Sequence, residues 1–433
     1  MFSRRSGIFV IIWLIAEGAV HAGHGYYRQD LIMTVCKGYG LTEQKPPRTN
    51  ALGKKMFHDP RLSRDGQTSC QSCHDSSGYF SRNGAPSPSG FLDPPTLINV
   101  ANRRLLGHDG HSAALPVYVL HPLLSPREQN LDPAKLVDLV CKYYPMACPE
   151  KPKAAAACLP WTNATPMTDS DALRMIGATV DPLTRRQLAG LPATMGAKDA
   201  ISLIWKNYLP TTYDARDRSL NEANCKELLA AIAPLTEYVA AITARKSKFD
   251  QFRDKACASQ EHVVRNNILT RDQQRGMELF FGKAKCHVCH RGNDLTDDGF
   301  HNLGLPSIDA SNPPSLGRSL GIFIEDSFAI TADKLASMAE YQAYIKPDYL
   351  REKIFLDRQS PLFLGATRTP TLRNVSRTAP YMHDGRFPDL DSVLGFYTRG
   401  GDAPPVGEKE GTITPLFLTS EEHDWLLKFL LAL

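Results

Sequence analysis

The chain has 433 residues, 42% of them apolar and 22% charged, and a formal net charge of +4. These proportions suit a globular protein and exclude a disordered, collagen-like or many-span membrane chain. The small charge excludes a strongly basic nucleic-acid binder, and the length allows roughly two to four domains.

The N-terminus reads as an export signal. Arg4 and Arg5 precede the apolar run Ile8–Ile15, and Val20-His21-Ala22 supplies a small-residue cleavage site. The run is too short to span a bilayer. Cleavage after Ala22 would release a periplasmic chain with no stable membrane anchor, in a compartment that permits disulfides.

Two segments carry the chemistry. Cys70-Gln71-Ser72-Cys73-His74 and Cys286-His287-Val288-Cys289-His290 both read Cys-x-x-Cys-His. Two thiols at this spacing add to the vinyl groups of a haem, and the adjoining histidine reaches the iron from one face. Zinc sites and redox dithiols also use Cys-x-x-Cys, but neither needs the histidine, and here it follows twice. The pattern predicts two covalently attached haem c groups, with His74 and His290 as proximal iron ligands.

Gly53-Lys54-Lys55-Met56-Phe57 leads into the first motif and Gly276-Met277-Glu278-Leu279-Phe280 into the second. Thr270 is a natural N-cap for a helix over the latter. That helix puts Gly276 and Phe280 on one face, where glycine lets another helix cross closely. Behind the motifs lies a repeat. Pro95-Thr96-Leu97-Ile98-Asn99-Val100 is followed by His108-Asp109-Gly110, and Pro370-Thr371-Leu372-Arg373-Asn374-Val375 by His383-Asp384-Gly385, with the same spacing of 13 from proline to histidine. A duplicated unit follows. The end of the chain predicts a helix capped by Thr419 and Glu422, with Trp425, Leu426, Phe429 and Leu430 on its inner stripe.

The fold expected is mainly α: two class I cytochrome c-like haem domains related by internal duplication, with long loops and a Cys-containing helical insertion between them. The boundaries are 1–22 for the signal, 23–131 for the first haem domain, 132–252 for the connecting region and 253–433 for the second haem domain. Within the connecting region, Leu228, Leu229, Ile232, Leu235, Val239 and Ile242 predict a helix over Glu227–Arg245. Six cysteines are left over: Cys36, Cys141, Cys148, Cys158, Cys225 and Cys257. Outside the cytoplasm three disulfides are the natural reading, with the pairing open; buried thiols or a bound metal are the alternatives.

Leu52–His74, Pro126-Arg127-Glu128, Cys286–His290, His301–Pro306 and Arg368–Tyr397 resemble the bacterial di-haem cytochrome c peroxidases, and among them the MauG-like enzymes. The resemblance covers Leu52–Glu128 and Glu227–Leu433. It implies a five-coordinate haem on His74 that meets hydrogen peroxide, with Glu128 as the distal carboxylate and Pro122 at the same face; His121 stands beside Pro122. A carboxylate there can move the peroxide proton from the inner to the outer oxygen. At the second haem, peroxidases use Met as second ligand and MauG-like proteins Tyr. The matching position is Tyr397, with Met382 and His383 as rivals. His301 matches a histidine near this haem. A calcium ion is implied at Asp93, Thr378 and Pro380, since oxygen ligands suit it. Two positions depart from the family: His108 stands where Trp is usual between the haems, and His111 where Arg is usual. His108 is open as a ligand of the first haem.

The leading functional expectation is an exported di-haem oxidoreductase that uses peroxide at the His74 haem and a His290/Tyr397 haem to oxidise a protein or peptide side chain. Trp161 and Trp205 are its weakest candidate relays, and the connecting region would dock the partner. The alternatives are a cytochrome c peroxidase with a small redox-protein donor, and a di-haem electron carrier without catalysis.

Overall fold

In the computed structural model, residues 29–39, 50–82, 92–125, 128–149, 222–258, 268–305, 317–318, 321, 337–339, 341–345, 363–405 and 407–433 are described. The signal segment 1–22, Pro126, Arg127, Cys158, Trp161 and Trp205 lie outside them, as does the side chain of Cys225.

Two helix crossings organise the molecule, each at a glycine. Helices α1 (Gln29–Gly38) and α2 (Ala51–Phe57) come first, then the one-turn α3 (Cys70–Cys73), α4 (Leu115–Leu124) and α5 (Pro133–Tyr143). They are followed by α6 (Glu222–Ala231), α7 (Ala233–Ala240), α8 (Lys248–Ala258), α9 (Arg271–Phe281), α10 (Leu390–Thr398) and α11 (Ser420–Leu430). Helix α9 begins at Thr270, whose side chain and that of Gln273 cap each other's backbone. It crosses α11 at Gly276, where a Cβ would lie 2.0 Å from the Trp425 carbonyl oxygen. Helix α2 crosses α7 in the same way at Gly53, 1.8 Å from the Pro234 carbonyl oxygen. No side chain fits either crossing. The capping box at Thr419 and Glu422 also forms as expected.

Each crossing anchors a core. The first gathers Met56, Phe57, Leu97 and Leu120 with Leu136, Leu228, Ile232, Leu235 and Val239. The second gathers Phe280, Leu426 and Phe429 with Phe249 and Phe252 of α8. Helices α6 and α7 thus pack into the first haem unit, and α8 into the second. The single helix expected over 227–245 is two helices. Pro234 lacks the N–H that would continue the ladder, so the chain restarts at α7 with proline in the new first turn. All six of the predicted apolar positions are buried nonetheless.

Helix α1 does not pack with the first core. Ile32, Val35 and Tyr39 belong to the second, and Cys36 is bonded to Cys257 of α8. Cys141 pairs with Cys148.

The repeat appears as matching geometry. Asn99 and Asn374 both adopt left-handed backbone, φ 55° and 54°, each opening a 3-10 turn. Their side-chain oxygens accept the N–H groups of Ala244 and Arg245 respectively, at 2.8 and 2.9 Å. The linker between α7 and α8 is therefore gripped by both copies. Further on, Leu106–Ser112 and Tyr381–Phe387 form equivalent antiparallel bridges around the two His-Asp-Gly turns. The described strands are β1 (Phe300–His301) and β2 (Thr367–Arg368), paired antiparallel with His301 opposite Thr367. Among the described residues no helix is long and apolar enough to cross a membrane.

Candidate functional site

The two Cys-x-x-Cys-His segments are presented differently but end alike. The first forms α3, capped by Ser69 and Ser72; the second forms a 3-10 turn over Cys286–Val288. The His74 Nδ1 donates to the Phe80 carbonyl at 3.2 Å, and the His290 Nδ1 to the Leu295 carbonyl at 3.1 Å. A carbonyl only accepts, so in each ring the proton sits on Nδ1 and the Nε2 lone pair is left for a metal. Burial holds both imidazoles below their ordinary pKa and so neutral, as ligation requires.

Cys70, Cys73, Cys286 and Cys289 are free thiols. Burial pushes the Cys70 and Cys286 thiols up to about 12 and Cys73 to about 11.

Around the second motif, Cys286, Cys289 and His290 open on a cavity also lined by Tyr397, Met382, His383, Val375 and Leu394. The surface it exposes is mainly apolar. At its polar side lie Arg103, ion-paired with Asp294 at 3.6 Å and Asp298 at 3.4 Å, and His383, whose Nδ1 is buried without a hydrogen-bond partner among the described residues. An apolar slot with such polar groups at one edge fits a flat macrocycle that carries acidic substituents. Helix α10 turns Tyr397 into this slot, and burial pushes its phenol well above the ordinary range. A phenolate there needs a cation to share its charge. Met382 and His383 line the same cavity. His301 lies here too, its two ring nitrogens 2.8 Å from Glu410 and 3.0 Å from Asp297. These carboxylates, rather than His290, are its partners.

The first site is built on α4 and the turn after it. Pro122 lies inside α4, and its carbonyl accepts the Gln129 N–H at 3.0 Å. Glu128 follows in a turn closed by its own N–H to the Ser125 carbonyl, 3.0 Å. The carboxylate returns to His121, with Oε2 3.7 Å from Nδ1. The His121 ring lies 4.9 Å from that of His111, which Asp109 holds at 2.7 Å. Desolvation raises the Glu128 carboxyl, but its side chain is 43% exposed, and His121 and then His111 keep the group below its ordinary value. Its charge in turn reaches Cys73 and His74 of the first motif. His111 was visible in the sequence only as a departure from the resembling family; its place beside His121 depends on the fold.

His108 serves the backbone. Its Nε2 donates to the Asp93 carbonyl at 2.7 Å, and its ring stands 6.4 Å from that of His383. The three positions where calcium is expected do not form an open oxygen cage. The Asp93 carboxylate is ion-paired with Arg82 at 2.8 Å, and the Thr378 carbonyl accepts from the Ser81 Oγ at 3.3 Å. Pro380 packs beside Gly385 and Asp93.

The family described as di-haem cytochrome c peroxidase matches residues 47–173. The chain is 26% identical to cytochrome-c peroxidase IdrP2 of Pseudomonas sp. (strain SCT), over 89% of this chain and 81% of that protein. It is also 26% identical to the methylamine utilization protein MauG of Methylorubrum extorquens, over 89% and 77%. In fold it resembles a MauG-like protein associated with microbial copper homeostasis, with TM-score 0.50, 23% identity and coverage of 91% and 92%. It resembles the diheme peroxidase BthA of Burkholderia thailandensis equally, with TM-score 0.50, 20% identity and coverage of 89% and 86%. The likenesses in sequence and in fold both run nearly the length of the chain, and the proteins it is similar to are di-haem cytochrome c peroxidases and MauG.

Proposed function

We propose that this protein is an exported, periplasmic di-haem oxidoreductase that reduces hydrogen peroxide at the His74 site and oxidises a partner through a second, His290/Tyr397 site. The partner is a protein or peptide side chain, as in the MauG-like branch. The observation that carries this reading is the Glu128–His121 pair beside the first Cys-x-x-Cys-His segment. Haem held by Cys70, Cys73 and His74 and by Cys286, Cys289 and His290 would supply the redox chemistry of the two sites.

The chain's own groups do the rest. His74 and His290 offer Nε2, their rings held by the Phe80 and Leu295 carbonyls. Glu128, kept ionised, takes a proton from the inner oxygen of hydrogen peroxide and returns it to the outer oxygen, which leaves as water. His121 holds the carboxylate in place, and Pro122 stiffens the helix end that carries His121. Tyr397 turns its phenol into the cavity of His290, where an anionic oxygen donor favours the oxidised metal.

Met382 lies in the same cavity and favours a second reading, peroxide removal with a small redox protein as electron donor. A carrier without catalysis leaves the Glu128–His121 pair without a role. Adding peroxide to the diferric protein without reductant, with optical and EPR spectra recorded, separates the three. Loss of both ferric signals, restored by a donor, supports the proposal. Reaction only after one haem is reduced supports the small-donor peroxidase. No reaction in either state leaves the carrier.

A further inference from the structure

The joint between the two haem units is held by groups from both. The Asp93 N–H donates to the His383 carbonyl at 2.8 Å, and its own carbonyl accepts from His108. Ser81 reaches the Thr378 carbonyl. Within this joint Asp93 is 5% exposed, and the only cation against its carboxylate among the described residues is Arg82, with Nε 2.8 Å from Oδ1. Both side chains are withdrawn from solvent, 10% and 6% exposed. Neither of those two atoms has a hydrogen-bond partner elsewhere among the described residues.

Gly385 forms the floor of the site. A Cβ there would lie 3.0 Å from the Arg82 Nη2, 3.1 Å from Pro380 and 3.2 Å from the Asp93 carboxyl carbon. The guanidinium, Pro380 and the Asp93 carboxyl thus converge over Gly385, where the family resemblance calls for calcium. The charges point the same way. Calcium needs six to eight oxygens at about 2.3–2.6 Å. Here one carboxylate is available, because the neighbouring Asp384 is taken up by Arg386 at 2.8 Å. A divalent ion added beside a guanidinium, which does not lose its proton, would set three positive charges against that one carboxylate.

We propose that Arg82 is the resident cation of this joint, its guanidinium holding Asp93 in place of a calcium ion, so that the union of the two haem units is independent of metal.

The test uses the full-length holoprotein. Calcium content is measured after desalting, and thermal unfolding is followed with chelator and with millimolar calcium chloride. The expected result is no stoichiometric calcium and the same midpoint in both solutions. Stoichiometric calcium, or a midpoint that falls with chelator, overturns the proposal. In a second arm, Arg82→Gln, Asp93→Asn and the double variant are compared. Arg82→Gln should lower the midpoint by several degrees in the Asp93 background and by clearly less in the Asp93→Asn background. Equal losses in the two backgrounds would mean that the ion pair does not hold the joint. Should Arg82→Gln not fold, the calcium content and chelator response of the unmodified protein decide the matter alone.

Discussion

The His121 imidazole and the Glu128 carboxylate face each other across the turn that ends α4, Nδ1 to Oε2 at 3.7 Å. The helix end fixes one and the Ser125 turn the other. Seven residues apart in sequence, they meet only because the chain doubles back. Desolvation raises the Glu128 carboxyl, but His121 and His111 outweigh it and hold the group below the ordinary value of 4.5, so at neutral pH it is ionised.

Glu128→Gln keeps the shape and removes the base. The rate of reaction with peroxide should fall by about 10²–10⁴-fold, with two covalent haems still attached. The depressed carboxyl also sets the pH profile. Only the ionised form accepts the peroxide proton, so the rate should hold through pH 4.5 and decline further into acid. Stopped-flow measurement across that range checks both. A rate unchanged in Glu128→Gln would remove the residue from the chemistry.

His108 stands where the family resemblance places an aromatic relay, and where it was open as an iron ligand. Its Nε2 is committed to the Asp93 carbonyl, and burial holds the ring to about 4, hence neutral. The first haem should therefore show a high-spin ferric EPR signal that His108→Gln leaves in place. A low-spin first haem that turns high-spin in that variant would show that His108 is a ligand after all.

Tyr397, Met382 and His383 compete within one cavity. If the phenol is the ligand, Tyr397→Met should raise the reduction potential of the second haem, because a thioether favours the reduced metal more than an anionic oxygen does. Met382→Leu should leave the potential where it was. A spectroelectrochemical titration of the two variants decides, and the reverse pattern would assign the site to Met382.

What could be read from the sequence was local. The haem segments, the caps at Thr270 and Thr419 and the repeat each rest on chemistry spanning a few residues, and each appears in the fold. The crossing at Gly276 was legible because only glycine leaves room for a backbone at that distance. The break at Pro234 was hidden by the apolar spacing, which two short helices satisfy as well as one long helix. Other features depend on contacts between distant segments. Helix α1 joins the second core through a disulfide with a sequence separation of 221. Arg82 takes on meaning only beside Asp93 and Gly385, and His111 only beside His121.

The repeat also hides a charge. Ile98 in the first copy corresponds to Arg373 in the second, and both are buried, at 2% and 0% exposure. Arg373 is matched by Asp250 of α8, by the Asn293 carbonyl at 2.7 Å from Nε, and by the Tyr39 carbonyl at 3.2 Å from Nη2. One guanidinium thus ties α8, the segment after the second haem motif and the end of α1. Asp250 is itself set by Ser247, whose hydroxyl donates to it at 2.6 Å. Removing one partner leaves the other as an uncompensated buried charge, so Asp250→Ala should cost about 3–5 kcal/mol in urea unfolding. Replacing both, as Arg373→Met with Asp250→Leu, should recover much of that loss, because apolar side chains of similar volume fill the same space without desolvating charge. The first copy already shows that an apolar residue is accommodated at this position. A double variant no more stable than Asp250→Ala would mean that the carbonyl contacts of Arg373, rather than its charge partner, hold the second unit together.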